Sequence, residues 1–150
     1  MQDRPVEAHR GEFRISTDRG QLPLDDAHAL LRATYWAATM PREVLERAVA
    51  NSVCFGVYHG ARLVGLARAV SDLATYAYLT DVVVAEEYRG RGLGRWLVEC
   101  VLAHPDLQGL RRIALFTREA QALYAPFGFG PPAGGAVYME LRAPNTPGHV

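Results

Sequence analysis

Tyr78-Leu79-Thr80-Asp81-Val82-Val83-Val84, then Arg89-Gly90-Arg91-Gly92-Leu93-Gly94, then Arg95-Trp96-Leu97-Val98 is the stretch on which the fold turns. The first run is rich in valine, threonine and tyrosine and reads as the end of a β-strand beginning near Thr75. Leu93, Trp96, Leu97, Cys100 and Val101 recur at helical spacing, and His104-Pro105 ends that helix. Between strand and helix, glycines let the chain turn sharply and present successive N–H groups without Cβ interference. The helix adds unpaired first-turn amides and the positive end of its dipole, so the three parts together make a main-chain pocket for a diphosphate. A tight strand-to-helix turn with basic decoration answers to the same residues. Two other phosphate loops do not fit. The dinucleotide fingerprint needs another glycine order and an acidic residue in the next strand, Arg112 to Phe116, which has none. The nucleoside-triphosphate loop needs Lys and Ser or Thr where Arg95-Trp96 follow Gly94.

Upstream, Glu12 to Thr17 alternates polar and apolar and reads as a strand ended by Asp18-Arg19-Gly20. Leu24 to Ala37 carries Ala27, Leu30, Leu31 and Thr34 at helical spacing, with Asp25 and Asp26 favourable in the first turn. Thr39 is placed to cap a second helix, through Pro41 to about Ala50, with Val44, Leu45, Ala48 and Val49 on one face. Ser52 to Tyr58 and Leu63 to Val70 flank the turn His59-Gly60-Ala61-Arg62 as a hairpin. Downstream come a strand at Arg112 to Phe116, a short helix at Glu119 to Ala125, a loop at Gly128 to Gly135, and a closing strand at Ala136 to Leu141. This order predicts a mixed α/β (α+β) sandwich. One domain is expected over 11–142, with 1–10 and 143–150 as flexible tails.

The chain has 150 residues, enough for one core, and its 16 Lys and Arg balance 16 Asp and Glu. A neutral chain lacks the basic footprint of a general nucleic-acid binder, so no nucleic-acid partner is expected. No apolar run approaches a membrane span, and the first residues do not read as a secretory signal. Cys54 and Cys100 lie in apolar patterns without metal-ligand spacing, and no His/Cys cluster points to a metal. Reduced thiols and a cytoplasmic location are the expectation.

The glycine turn, its lead-in and a second motif downstream resemble the GNAT superfamily of acyl-CoA N-acyltransferases. Arg89, Gly92 and Gly94 meet the family's Arg/Gln-x-x-Gly-x-Gly/Ala, and Asp81-Val82-Val83-Val84 meets its usual lead-in strand. Thr117-x-x-Ala120-x-x-Leu123-Tyr124, then Gly128-Phe129, is similar to the family's Asn-x-x-Ala-x-x-Leu-Tyr-x-x-x-Gly-Phe, with Thr117 standing for Asn. The resemblance implies the GNAT fold: a central mixed, mostly antiparallel sheet with splayed middle strands, flanked by about four helices.

It also implies roles. The amides of Arg89, Gly90, Gly92, Gly94 and Arg95 would hold the pyrophosphate of acetyl-CoA, the acyl donor, and the backbone of Val82 and Val84 would pair with its pantetheine arm. Thr117 would reach the cofactor in place of Asn. Tyr124 would act as general acid toward the departing sulfur, or else anchor the short helix against Phe127 and Phe129. No glutamate occupies the position of the family's familiar base. Asp81 is a candidate base, or a tie between loop amides, and a bulge near it would reverse the alternation of the strand. Tyr35 and Trp36, closing the first helix, with Asp72 and Tyr76 before the central strand, are candidates for the acceptor site; a core aromatic pair and a turn aspartate answer equally well. The expected activity is transfer of acetyl from acetyl-CoA to a primary amine of a small molecule or peptide, by direct attack in a ternary complex. The alternative is an acyl-CoA-binding sensor that keeps the loop without the chemistry. Expected partners are the amine acceptor and acetyl-CoA, with no metal, no nucleic acid and no membrane; a homodimer is compatible with the sequence.

Overall fold

A computed structural model describes residues 4–144. Six strands form one sheet in sequence order: β1 Glu7–Arg10, β2 Phe13–Ser16, β3 Val53–His59, β4 Arg62–Ser71, β5 Tyr76–Val84 and β6 Arg112–Leu115. The helices are α1 Leu24–Arg32, α2 Arg42–Ala50, α3 Leu93–Ala103 and α4 Gln121–Tyr124. Neighbouring strands are antiparallel except β5 and β6, which run parallel. A parallel pair needs a crossover, and α3 supplies it, so the glycine turn falls at the C-terminal end of β5.

The sheet has a core on each face. Ala27 and Leu31 of α1 and Leu45 and Val49 of α2 lie one helical turn apart and bury against Leu66 and Val83. On the other face Leu93, Trp96, Leu97, Val98 and Val101 of α3 pack on Phe55, Val57, Val64 and Leu79. Each fully buried leucine or phenylalanine stabilises the fold by about 1.5–3 kcal/mol before conformational entropy is counted.

Strand β5 changes face part-way. Leu66 pairs with Val83 and Arg68 with Thr80, so Ala67 of β4 stands against two residues of β5, Asp81 and Val82, and Asp81 takes the left-handed φ of 56°. This is the β-bulge expected near Asp81, at a residue type that tolerates positive φ. Because of it Leu79 faces the α3 core while Val83 faces the α1/α2 core. The ladder to β6 ends at Leu79–Leu115, yet β5 runs on to Val84, so the two strands splay. Neither ladder pairs Asp81 or Val82.

Four local expectations are corrected. Residues 7–10, placed in a flexible tail, form β1, because Ala8 pairs with Ile15 and packs against the α3-side core. Thr39 does not cap α2; Pro41 sits at the N-cap without a side-chain bond. Tyr35 and Trp36 lie beyond α1, which ends at Arg32. Ala136 to Leu141 forms no strand: the chain passes Pro131 and Pro132 and two left-handed glycines, Gly134 and Gly135, which steer it off the β6 edge. Met139 and Leu141 are left 86% and 101% exposed. Residues 1–3 and 145–150 of the expected tails lie outside the described residues.

Candidate active site

The turn after β5 is built on Tyr88. Its ring is buried, its hydroxyl bonds His59 Nδ1 at 2.8 Å, and the guanidinium groups of Arg62 and Arg91 lie 5.2 and 5.0 Å from its centroid. Over this floor Gly90 and Gly92 both take φ of 78°, and Gly92 is the N-cap of α3. A Cβ at either position would meet no atom beyond its chain neighbours within 4 Å, so the turn is open to solvent and their left-handed backbone, rather than close packing, calls for glycine. The first-turn amides of Leu93, Gly94 and Arg95 have no intrahelical acceptor and open toward the same turn. Gly94 differs: its Cβ would rest 3.9 Å from Leu123 Cδ2, toward α4. An open cradle of glycines and free amides at a helix start fits a pyrophosphate. Arg89 donates its Nε–H to Val84 O at 3.0 Å, and Arg95 lies 3.4 Å from Glu99. Val84 O therefore already receives one donor, while Val82 has no register partner in either ladder.

Where β5 and β6 part lies a cleft of about 450 Å³. Tyr35, Trp36, Asp81, Val82, Thr117 and Tyr124 all line it. Asp72 and Tyr76 do not. Asp72 instead ties its own turn: Oδ1 accepts the N–H groups of Ala74, Thr75 and Tyr76, and Oδ2 the Thr75 hydroxyl. Those bonds hold its carboxyl well below the usual carboxylate range.

Tyr124 is 7% exposed, its ring 5.8 Å from that of Phe129. Burial pushes its phenol up to about 12, so it stays protonated at neutral pH. No described residue bonds its hydroxyl. Thr117 Oγ1 accepts the Ala120 N–H at 2.9 Å, holding the entry to α4. Asp81 is buried with both oxygens engaged: Oδ1 accepts from Trp36 Nε1 and Oδ2 from Arg68 Nε, each at 3.0 Å. Arg68 also reaches Ser52 Oγ at 2.9 Å. An ion-paired carboxylate so tied acts as a structural joint between the α1–α2 loop and β5 better than as a proton acceptor.

Sequence reasoning missed Arg68 and Glu119. A lone arginine inside the apolar run of β4 was the available signal for the first. Nothing in the local pattern marked Glu119, which is exposed and lines the same cleft. Both thiols are raised by burial, Cys54 to about 11, which keeps them from acting as nucleophiles. Among the described residues no group of His, Cys, Asp or Glu is placed to hold a metal, and no helix is long and apolar enough to cross a membrane.

The family model of the acetyltransferase (GNAT) family matches residues 23–129, from the start of α1 through the cradle to Phe129. The chain belongs to the GNAT family. A candidate acetyltransferase of Gibberella zeae, FG08082, is 32% identical over 144 residues, covering 81% of this chain and 80% of its own. A solved GNAT-family protein of Xanthomonas campestris pv. campestris is 44% identical, with a TM-score of 0.84 over 93% of this chain and 96% of that one. A GNAT acetyltransferase of Elizabethkingia anophelis, solved with acetyl-CoA bound, shares the fold at TM-score 0.64 and 14% identity, over 81% of this chain and 78% of that one. Membership in the GNAT family assigns the chain to acyl transfer, and its mixed six-stranded sheet with four helices is that family's fold.

Proposed function

We propose that this GNAT protein transfers the acetyl group of acetyl-CoA to a primary amine of a small molecule or peptide, by direct attack in a ternary complex. The observation that carries the reading is Tyr124: a protonated phenol, free of protein partners, in the cleft where β5 and β6 part. Acetyl-CoA would supply a thioester already activated for attack. The cradle from Gly90 to Arg95 would hold its pyrophosphate, and the backbone at Val82 would take the arm that leads to the thioester. As the acceptor nitrogen bonds the acetyl carbon and the carbon–sulfur bond breaks, Tyr124 gives its proton to the departing sulfur. The phenolate is reprotonated from water, and the proton lost by the amine passes to water in turn. With Asp81 paired to Arg68, no carboxylate is needed as base for an amine that enters neutral. Placement of amine against thioester then provides much of the rate.

Unpaired Cys54 and Cys100 agree with a reducing, cytoplasmic setting. The engagement of both Asp81 oxygens also suits the second reading, a non-catalytic acyl-CoA sensor. Incubation with acetyl-CoA and a panel of primary amines, following free thiol, separates the two. Amine-dependent thiol release supports transfer; tight binding of acetyl-CoA with no release for any amine supports the sensor.

A further inference from the structure

Gly90 and Gly92 give the turn after β5 a pliable backbone, and no packing at those two positions restrains it. A ligand that meets the N–H groups of a loose turn must order it on binding, and that ordering subtracts from affinity. Whatever holds this turn in shape therefore acts from its ends or from beneath. Arg89 ties one end, through its Nε–H to Val84 O.

Tyr88 is the anchor beneath. It closes the 3-10 turn Glu86–Tyr88 directly before Arg89, and the Arg91 guanidinium rests 5.0 Å from its ring centroid. Its hydroxyl meets His59 Nδ1 at 2.8 Å. His59 is the last residue of β3, in register with Phe13 of β2 and Arg62 of β4, so the sheet fixes where its ring stands. Phe13 completes the group, its ring 5.0 Å from His59 and edge-on to Tyr88 at 6.0 Å. On the far side His59 Nε2 faces Glu12 Oε2 at 3.4 Å. A carboxylate only accepts, which puts the proton of the neutral ring on Nε2 and leaves Nδ1 to accept from the Tyr88 hydroxyl. A second tie runs from the same β3–β4 hairpin, where Arg62 pairs with Glu87. Both of those side chains are more than half exposed, so that pair contributes less than the buried phenol.

We propose that Tyr88 is a positioning residue for acetyl-CoA and that His59 holds it. Their hydrogen bond fixes the turn Arg89–Gly92 in the conformation whose amides receive the pyrophosphate. The inference rests on the reading of that turn as the acetyl-CoA cradle and adds a pair outside it that sets how tightly acetyl-CoA binds. Both residues act through the backbone of the turn and take no part in bond making.

Calorimetric titration with acetyl-CoA, run beside thermal unfolding, tests the pair. Tyr88→Phe keeps the ring and its packing but removes the hydroxyl, and His59→Leu removes the acceptor. Each should weaken acetyl-CoA about fivefold, within the net worth of one hydrogen bond. The double variant should lose no more than either single one, because both break the same bond. His59→Asn, which offers an amide oxygen near the place of Nδ1, should recover most of the affinity. Wild-type affinity in folded Tyr88→Phe and His59→Leu, losses that add in the double variant, or no recovery in His59→Asn overturns the proposal. A wild-type protein that does not bind acetyl-CoA defeats the cradle reading, and this inference with it; unchanged affinity in the variants defeats the inference alone.

Discussion

Asp81 Oδ2 receives the Nε–H of Arg68 at 3.0 Å across the bulge that turns β5 from one core to the other. The pair also fastens Trp36, whose Nε1–H goes to Asp81 Oδ1, so the loop after α1 is hung from the central strand at the rim of the cleft. Arg68→Met would strand a buried carboxylate, a change that costs about 3–5 kcal/mol. The double variant Arg68→Met, Asp81→Asn removes the charge left behind and should recover part of the loss. Urea denaturation of both tests this; an equal loss in single and double variants would place the cost elsewhere.

The turn from β5 into α3 was legible because three independent signals agree there: a run rich in valine, threonine and tyrosine, closely spaced glycines, and apolar residues at helical spacing. The mixed, mostly antiparallel sheet came from the resemblance to the family rather than from local pattern, and the strand order with its parallel β5–β6 pair from the structure. The joint of Trp36, Arg68 and Asp81 was not legible, for its members are far apart in sequence and each has an innocent local reading. Strand β1 was hidden because Glu7, His9 and Arg10 are polar and exposed, and only pairing with β2 makes them a strand. The opposite error occurred at Val137, Met139 and Leu141, whose alternation imitates a strand although strand propensity depends on a neighbour to pair with. Within the site, backbone motif positions were easier to place than acceptor residues, because a phosphate cradle is local and an acceptor cleft is assembled from several loops. Asp72 illustrates the second case: its place before β5 made it a binding candidate, but its carboxylate closes its own turn.

The two glycines of the cradle should respond differently to a methyl group. Gly92→Ala forces a left-handed conformation on alanine, costing about 1–2 kcal/mol, and fills the open side of the turn. Gly94→Ala turns its methyl toward Leu123, where there is room. Calorimetric titration with acetyl-CoA should show a large loss for folded Gly92→Ala and a small one for Gly94→Ala. The opposite order would move the pyrophosphate away from the φ-positive turn.

Thr117→Ala should cost about 1 kcal/mol, because the Ala120 N–H loses its acceptor at the entry to α4. Thr117→Asn offers another side-chain oxygen and should keep both stability and acetyl-CoA affinity. Thermal unfolding and titration of the two variants check this; a severe loss in Thr117→Asn would show that the hydroxyl is needed for its size rather than its oxygen.

His104 predicts a stability change with pH. Its ring is buried, and Nδ1 accepts the Asp106 N–H at 3.1 Å, which places the proton of the neutral ring on Nε2. Burial lowers its pKa from the ordinary 6.5, with Asp106 opposing. The unfolded chain therefore takes up a proton first as pH falls. The neutral ring's contribution is complete above the ordinary histidine value and is lost as pH falls from there toward the lower folded value. His104→Asn keeps an acceptor for Asp106 and should flatten this part of the stability–pH curve. An unchanged slope in that variant would assign the acid sensitivity to another group.

Tyr124→Phe is the sharpest test of the chemistry. The ring would still stand 5.8 Å from Phe129, and the lost hydroxyl has no protein partner, so stability should change little. Acetyl-CoA affinity should also hold, because a donor to sulfur matters most as negative charge develops there. Turnover should fall about 100-fold or more, the usual worth of one general acid. The phenol's pKa of about 12 fixes the pH behaviour as well: the acid form is present throughout the neutral range and is lost only as pH rises through that value. Any rise of wild-type rate between neutral and mildly alkaline pH then reports deprotonation of the acceptor amine, and the Phe variant should keep the same rise at a lower level. If Tyr124 served packing alone, the Phe variant would turn over normally and damage would appear only in Tyr124→Ala, as lost stability. Rate, affinity and melting temperature measured on both variants separate these outcomes, and full activity in Tyr124→Phe would leave water to protonate the sulfur.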